Sequence, residues 1–173
     1  MNKENDSNLD ITIQAIKAAI ILEIKGEQFY KAAAEKASSE KIRDLFIFFA
    51  DEEIKHRKFI EKQYDELLKS GNWIPLESKA VPSFNIDDKV INEELKNSLK
   101  HAWFEASAIS IALNLELEAL KFYQETANKT DNPNAKKFYE LLAGWEKEHY
   151  EKFNRLESAL REEFWEAARF SPS

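Results

Sequence analysis

The feature that most constrains this chain is a Glu-x-x-His motif that occurs twice. Glu53 and His56 form the first copy, and Glu146 and His149 form the second copy 93 positions later. Residues three positions apart on an α-helix project from the same face, so each pair can contact one common object. Carboxylate and imidazole groups in this arrangement predict a shared metal ion.

The sequence around the two motifs is duplicated at the same offset. Glu23 precedes Glu53 by 30 residues, and Glu116 precedes Glu146 by 30 residues. The residues that return unchanged include Ala19 and Ala112, Leu22 and Leu115, Phe29 and Phe122, Tyr30 and Tyr123, and Ala34 and Ala127. Each half of the chain therefore supplies one Glu from a first helix and a Glu-x-x-His pair from a second helix.

Length and composition favour a single helical domain. A chain of 173 residues is long enough to bury roughly 70% of the surface that its unfolded form exposes. Its 43% apolar content, with only three Gly and four Pro, favours long helices joined by few turns. We therefore predict an all-α fold in which residues 1–173 form one domain.

Helical periodicity and capping residues divide the chain into four long helices and three other segments. The predicted helices are one capped by Asp10 that ends near Ala37, one from about Glu40 to Lys69 that Gly71 terminates, one from about Trp103 to Asn128, and one from Pro133 to about Arg161. The other predicted segments are a disordered tail over residues 1–8, a crossover with a short helix over residues 72–101, and an apolar docking segment over residues 162–173. The long helices then form two hairpins joined by the crossover.

The predicted turns fall midway between the paired glutamates. At about 1.5 Å per residue, Glu23 lies roughly 22 Å before the first turn and Glu53 roughly 22 Å after it. An antiparallel hairpin therefore places both carboxylates at one height. Asp131 lies midway between Glu116 and Glu146 in the same way. The chain is predicted to form a four-helix bundle of two pseudo-symmetric hairpins that gathers four Glu and two His.

Charge and cysteine content exclude several classes of function. The net charge of −7 argues against a nucleic-acid partner, because phosphate binding needs clustered Lys and Arg. The absence of Cys excludes disulfides, thiolate zinc sites and iron-sulfur clusters. The polar start of the chain has no apolar signal sequence, and no later stretch has the roughly 18 uninterrupted apolar residues of a membrane span. We expect a cytoplasmic protein with no membrane partner.

The glutamates occupy apolar faces of their helices, which favours a buried metal site. Glu23 shares its face with Ile16 and Ile20, and Glu53 shares its face with Phe49. Four ionised carboxylates in a core cost many kcal/mol unless cations or protons compensate them. Ligation by carboxylate and imidazole without thiolate suits iron or manganese better than zinc. Buried structural ion pairs are the alternative.

Tyr30 and Tyr123 lie two helical turns after Glu23 and Glu116, respectively. At that spacing each tyrosine is close enough in angle to reach the site. Two interpretations stay open. The tyrosines are aromatic core residues, or each donates a hydrogen bond to a ligand carboxylate across the bundle.

With this constellation, the chain closely resembles the rubrerythrin branch of the ferritin-like di-iron proteins over about residues 10–161. The resemblance implies a ferritin-like bundle with two iron ions, for which manganese or zinc are possible substitutes. The implied metal ligands are Glu23, Glu53, His56, Glu116, Glu146 and His149. Rubrerythrins proper also carry a rubredoxin-like domain with four cysteines, which this chain lacks. It is therefore similar to the stand-alone, erythrin-type members.

The resemblance implies a non-haem di-iron oxidoreductase that reduces hydrogen peroxide, or less efficiently dioxygen, in oxidative-stress defence. We expect an external electron donor such as a rubredoxin-like protein, because the sequence has no cysteine and no evident flavin or haem motif. A homodimer is also expected. Two alternatives stay open: a ferroxidase or iron-storage protein whose substrate is ferrous iron, and a metal-stabilised bundle that catalyses nothing.

One position departs from the family pattern. Rubrerythrins carry a further Glu three residues after the third-helix ligand, and on oxidation one iron exchanges a His for that Glu. The corresponding residue here is Ala119, and its counterpart in the first half is Gly26. Glu118 lies roughly 100° away around the helix and is a poor substitute. We therefore expect His56 and His149 to stay bound in both oxidation states.

Overall fold

Four long helices make up most of the part of the chain that the computed structural model describes, which comprises residues 3–76, 95 and 103–169. The helices are α1 (Lys3–Lys36), α2 (Glu40–Ser70), α3 (Trp103–Lys129) and α4 (Pro133–Arg169). α1 packs along α2, α3 packs along α4, and the two hairpins meet where α1 contacts α3. The predicted all-α bundle of two helical hairpins is confirmed.

Side-chain caps start the second helix of each hairpin where the sequence predicts. The Ser39 hydroxyl accepts a hydrogen bond from the Ile42 N–H at 3.4 Å. The Asn132 side chain accepts one from the Ala135 N–H at 3.1 Å, and Pro133 takes the first helical position. These contacts satisfy N–H groups that the first turn of a helix leaves without partners. They fix both hairpin turns, which we call turn 1 (residues 37–39) and turn 2 (residues 130–132).

Two predicted helix boundaries are wrong. α1 begins at Lys3, so the predicted tail over residues 1–8 and the cap at Asp10 are replaced by helix from residue 3 onward. α4 continues to Arg169 instead of ending near Arg161. In both places the sequence contains neither Gly nor Pro, so nothing in it interrupts a helix once the helix has started.

Two predicted segments fall largely outside the described residues. Of the crossover over residues 72–101, only residues 72–76 and Leu95 are described, and Leu95 is helical and buried. The docking segment over residues 162–173 begins inside α4, and its apolar side chains lie outside the described part. In the described part of the chain, none of the helices has the length and apolar character that crossing a membrane requires.

The core consists of two apolar clusters, one near each hairpin turn. The cluster near turn 1 includes Ala34, Ile42, Leu45, Phe46, Phe49, Ile109 and Phe153. The cluster near turn 2 includes Ile16, Ile60, Leu67, Trp73, Tyr123, Phe138 and Tyr139. Along α1, Glu23 lies between Ala19 of the second cluster and Tyr30 of the first cluster. The two clusters therefore enclose a polar layer at mid-height.

A buried carboxylate connects the two hairpins at turn 1. Glu105, in the first turn of α3, is 2% exposed. It accepts a hydrogen bond from the Ser38 N–H at 2.7 Å. The contact anchors the start of the second hairpin to the turn of the first, so it fixes the relative height of the two hairpins.

Gly71 ends α2 in the left-handed conformation, with a φ of 69° and its N–H donating to the Leu67 carbonyl at 2.9 Å. A side chain in this conformation places Cβ against the following carbonyl oxygen. Gly71→Ala should therefore lower the free energy of unfolding by about 1 kcal/mol. Urea denaturation followed by circular dichroism measures the change, and a midpoint equal to that of the wild type would contradict it.

Candidate metal centre

All six predicted ligand side chains lie in the polar layer between the two apolar clusters. α1 supplies Glu23, α2 supplies Glu53 and His56, α3 supplies Glu116, and α4 supplies Glu146 and His149. Each is between 0 and 3% exposed. The structure thus brings the six residues to one place, and their role as metal ligands stays a prediction.

The first histidine lies between carboxylates from both hairpins. His56 Nδ1 is 3.3 Å from Glu23 Oε2, in its own hairpin, and 3.3 Å from Glu146 Oε1, in the other hairpin. The Glu53 carboxylate of its own motif is farther away, at 3.9 Å. We call His56 and Glu23 the His56 half-site.

The second histidine repeats this arrangement. His149 Nδ1 is 3.5 Å from Glu116 Oε2, in its own hairpin, and 3.2 Å from Glu53 Oε1, in the other hairpin. We call His149 and Glu116 the His149 half-site. Since Glu53 and Glu146 each approach both histidines, they lie between the half-sites, where a carboxylate can bridge two ions.

The donor atoms of the site fit a bound cation. Ligand atoms of Glu53, His56, Glu146 and His149 all lie within 4.8 Å of one another. Among the described residues, no hydrogen bond of normal geometry reaches Glu53 Oε1, Glu146 Oε1 or either ring nitrogen of His149. Buried polar atoms without such bonds cost roughly 1–3 kcal/mol each. A divalent cation would satisfy several of them at once.

The four carboxyl groups do not all ionise easily together. Burial raises the pKa of Glu53 and of Glu146 well above the usual value, and the charges of neighbouring glutamates raise both further. Burial also opposes ionisation of Glu23 and Glu116, but the adjacent imidazoles and hydrogen bonds outweigh it, so their pKa values are lowered. Without a cation, the two central carboxyls therefore favour the protonated form.

Two tyrosines connect the half-sites across the bundle. The Tyr30 hydroxyl donates a hydrogen bond to Glu116 Oε1, and the Tyr123 hydroxyl donates one to Glu23 Oε1. Burial, together with the nearby glutamates, raises the pKa of both phenols well above the usual value. The phenols therefore remain donors, and each fixes the carboxylate that the opposite hairpin supplies.

A cavity between α1 and α3 leads from the surface to the carboxylates. It is lined by Leu22, Glu23, Lys25, Gly26, Glu53, Leu115, Glu116, Ala119 and Glu146. Gly26 and Ala119 occupy equivalent positions in the two halves, and Glu118 is exposed. As the sequence indicates, neither Gly26 nor Ala119 offers a carboxylate here. Their small size leaves room beside the central glutamates.

The role of Gly26 as a close neighbour of Glu53 was not predicted from the sequence. A Cβ atom at position 26 would lie 3.2 Å from Cγ, Cδ and Oε2 of Glu53, which is closer than ordinary van der Waals contact. The signal was present, because a glycine in the interior of a long helix requires a packing reason. Gly26 lets the Glu53 carboxylate lie against the α1 backbone.

The packing of Trp145, which stands where the first half has Glu52, was also not predicted from the sequence. Its indole stacks on the His56 imidazole, with ring centroids 4.7 Å apart and planes 16° apart. The spacing places Trp145 on the same helix as Glu146 but gives no information about a contact with α2. Only the packing of the two hairpins against each other reveals it.

Comparison with known families matches the chain to a family described as Rubrerythrin, over residues 14–157. That range includes all six predicted metal ligands and both tyrosines. Comparisons with curated proteins and with solved structures found no match.

Removing the metal should destabilise the protein more as the pH rises. Stability from a group whose pKa is raised by folding is lost as the pH rises through that folded value. This holds for Glu53 and Glu146, and for His149, whose pKa rises to about 9 because Glu116 and Glu146 outweigh burial. The test measures the gap in melting temperature between metal-loaded and chelated protein from pH 6.5 to about 9.

The gap should widen toward pH 9, because a cation favours the deprotonated ligands that destabilise the chelated protein. Glu23 and Glu116, whose pKa values are lowered, lose their contribution only below the usual value of 4.5, outside this range. Equal melting of chelated and loaded protein throughout would contradict the account.

Gly26→Ala should weaken metal binding, because the new methyl group displaces the Glu53 carboxylate. Gly144→Ala is the matched control: Gly144 is an exposed residue of α4, and a Cβ there meets nothing within 4 Å. The control should raise the free energy of unfolding by about 1 kcal/mol and leave metal affinity unchanged. Calorimetric titration with a divalent metal, plus urea denaturation, compares the variants. If Gly26→Ala and Gly144→Ala bind the metal with equal affinity, the positioning role of Gly26 is refuted.

Proposed function

The chain belongs to the rubrerythrin family, and from this premise we propose that it is a di-iron oxidoreductase that reduces hydrogen peroxide. The observation that carries the proposal is the buried layer of four glutamates and two histidines, in which several polar atoms have no hydrogen bond among the described residues. Members of this family bind two iron ions and are generally oxidoreductases. The donor set of this site fits such a pair.

In the proposed centre, each half-site would hold one ion through one histidine and one terminal glutamate. Glu53 and Glu146 would be ligands available to both ions, because each lies near both histidines. Bound iron would supply the two electrons that cleave the O–O bond of the oxidant. Tyr30 and Tyr123 would hold the terminal carboxylates in place during this change of charge.

The cavity between α1 and α3 supports a small substrate. It reaches the central carboxylates past Gly26 and Ala119, and its side walls are Leu22 and Leu115. Apolar walls and small residues leave space for a molecule the size of hydrogen peroxide or dioxygen. The protons for the two water molecules formed would enter from solvent through the same cavity.

We also propose an external electron donor, a homodimer and a cytoplasmic location. The chain has no Cys and no evident flavin or haem motif, so a rubredoxin-like carrier is the simplest source of electrons. The absence of Cys is compatible with a reducing compartment. Size exclusion tests the assembly: a dimer supports the enzyme, whereas a cage of many subunits would favour iron storage.

Peroxide turnover with NADH should require both an added reductase and a rubredoxin-like carrier. Iron-loaded protein mixed with peroxide and the complete electron-transfer system should oxidise NADH, and omission of the carrier should reduce the rate to background. Glu53→Ala, which removes a proposed ligand available to both ions, should also abolish turnover. Glu118→Ala, which changes an exposed residue of α3, should retain it. Absence of turnover by the wild type in the complete system, or efficient turnover with NADH alone, would refute the proposal.

A further inference from the structure

The two half-sites have the same ligands but different aromatic neighbours. Trp145 stacks on His56 at 4.7 Å, whereas His149 meets the edge of Phe49 at 5.1 Å. The residue equivalent to Trp145 in the first half is Glu52. An easily oxidised indole therefore lies against one histidine and has no counterpart at the other in the described part of the chain.

The two cross-bundle tyrosines, Tyr30 and Tyr123, also differ in whether an oxidisable ring lies beside them. The rings packed on Tyr30 in the described part of the chain are all phenylalanines, namely Phe29, Phe46, Phe49 and Phe153. Tyr123, which donates to Glu23, instead stacks on Tyr139 at 6.3 Å. Tyr139 contacts Trp73 at 5.8 Å. The residue equivalent to Tyr139 in the first half is Phe46.

A second row of rings connects Trp145 to the same tryptophan. Trp145 contacts Phe59 at 5.2 Å, Phe59 stacks on Phe138 at 5.6 Å, and Phe138 contacts Trp73 at 5.1 Å. Trp73 follows the end of α2 and is 7% exposed. Both rows therefore run from the His56 half-site to one buried tryptophan, which lies beyond the end of α2 between the exposed residues Asn72 and Ile74.

Tyr139 carries a hydroxyl group that packing does not explain. The residue is 2% exposed, and its hydroxyl oxygen has no hydrogen-bond partner among the described residues. Burying an unpaired hydroxyl costs free energy, so a phenylalanine would stabilise this position better. What tyrosine adds over phenylalanine here is a ring that can be oxidised.

We propose that Trp145, Tyr123, Tyr139 and Trp73 form an oxidisable path that carries oxidising equivalents away from the His56 half-site to Trp73, beyond the end of α2. The path acts when peroxide reaches the centre and no electron donor is present. This inference rests on the proposed function, because hydrogen peroxide is the oxidant. Its benefit is that damage occurs at Trp73, near the surface, and the buried ligands are spared.

The electrons and atoms of the step balance. Reduction of one hydrogen peroxide to two water molecules breaks the O–O bond and consumes two electrons and two protons. Two side chains of the path each lose one electron and one proton, from the N–H of an indole or the O–H of a phenol. They remain as neutral radicals, which solvent or an external reductant can later quench. Tyr123, Tyr139 and Trp73 are oxidisable rings in direct contact, so the oxidising equivalent passes from ring to ring along them. Phe59 and Phe138 are not oxidised, so between Trp145 and Trp73 the electron crosses both phenyl rings in one tunnelling step.

The test mixes iron-loaded, oxidised protein with hydrogen peroxide in the absence of a donor. Freeze-quenched samples give the yield of protein radical by electron paramagnetic resonance, and peptide mass spectrometry locates oxidised Trp and Tyr. The wild type should form a protein radical and accumulate oxidation at Trp73. Trp145→Phe and Tyr139→Phe should each lower the radical yield, and the double variant should lose it.

Trp103→Phe is the matched control, because Trp103 is 71% exposed on α3 and lies outside the path. Its radical yield should equal that of the wild type. Metal content and melting temperature are measured for every variant. If Trp145→Phe fails to bind metal, Tyr139→Phe alone decides, since it removes one unpaired oxygen atom and leaves the packing intact.

The inference is overturned if the wild type forms no protein radical. It is also overturned if the double variant gives the same radical yield as the wild type. Where Tyr139→Phe decides alone, the same comparison applies to that variant. Its failure is distinguishable from failure of the proposed function. Donor-supported peroxide turnover without a radical would refute the path only. A radical that depends on Trp145 and Tyr139, without donor-supported turnover, would refute the proposed function only.

Discussion

The burial of four glutamates at one level of a helical bundle is the constraint on which the rest of this structure depends. Carboxylates taken out of water lose hydration and repel one another, and the raised pKa values of Glu53 and Glu146 express that cost. Two hydrophobic clusters, one near each turn, stabilise the fold around the polar layer. The layer itself adds stability only if cations or protons neutralise it, so fold and ligand are coupled at this level.

The duplicated hairpin brings the four glutamates and two histidines to one level of the bundle. Each hairpin supplies two glutamates and one histidine, and each histidine contacts a glutamate of the opposite hairpin. The cross-bundle bonds from Tyr30 to Glu116 and from Tyr123 to Glu23 repeat the exchange. Neither hairpin therefore has a complete site alone. Residues that hold the two hairpins at a fixed relative height, such as Glu105 at turn 1, therefore affect the geometry of the centre from a distance.

The sequence predicted the four helices, the positions of the two turns and the convergence of six residues because these depend on periodicity and repetition along one chain. The spacing of 30 residues between Glu23 and Glu53 determines their common height as soon as the turn is located. The start of α1 at Lys3 was missed because a polar segment without Gly or Pro is compatible with both tail and helix. Contacts between hairpins, such as Trp145 on His56, depend on rotation of helices about their axes, which spacing along the chain does not determine.

The duplication is not perfect, and its departures concentrate around the centre. Gly26 lies against Glu53, whereas its counterpart Ala119 leaves space in the cavity wall. Trp145 replaces the Glu52 of the first half. If the layer holds two ions as proposed, equivalent ligands in unequal surroundings would allow the two positions to differ in affinity and reactivity.

The central claim is that the polar layer exists to hold two divalent ions. Metal analysis of protein loaded with ferrous iron in the absence of oxygen, after removal of free metal, measures this directly. The account predicts two bound ions per chain, both held by the buried glutamates and histidines. A chain that retains no iron, or retains only one ion at saturation, would contradict it.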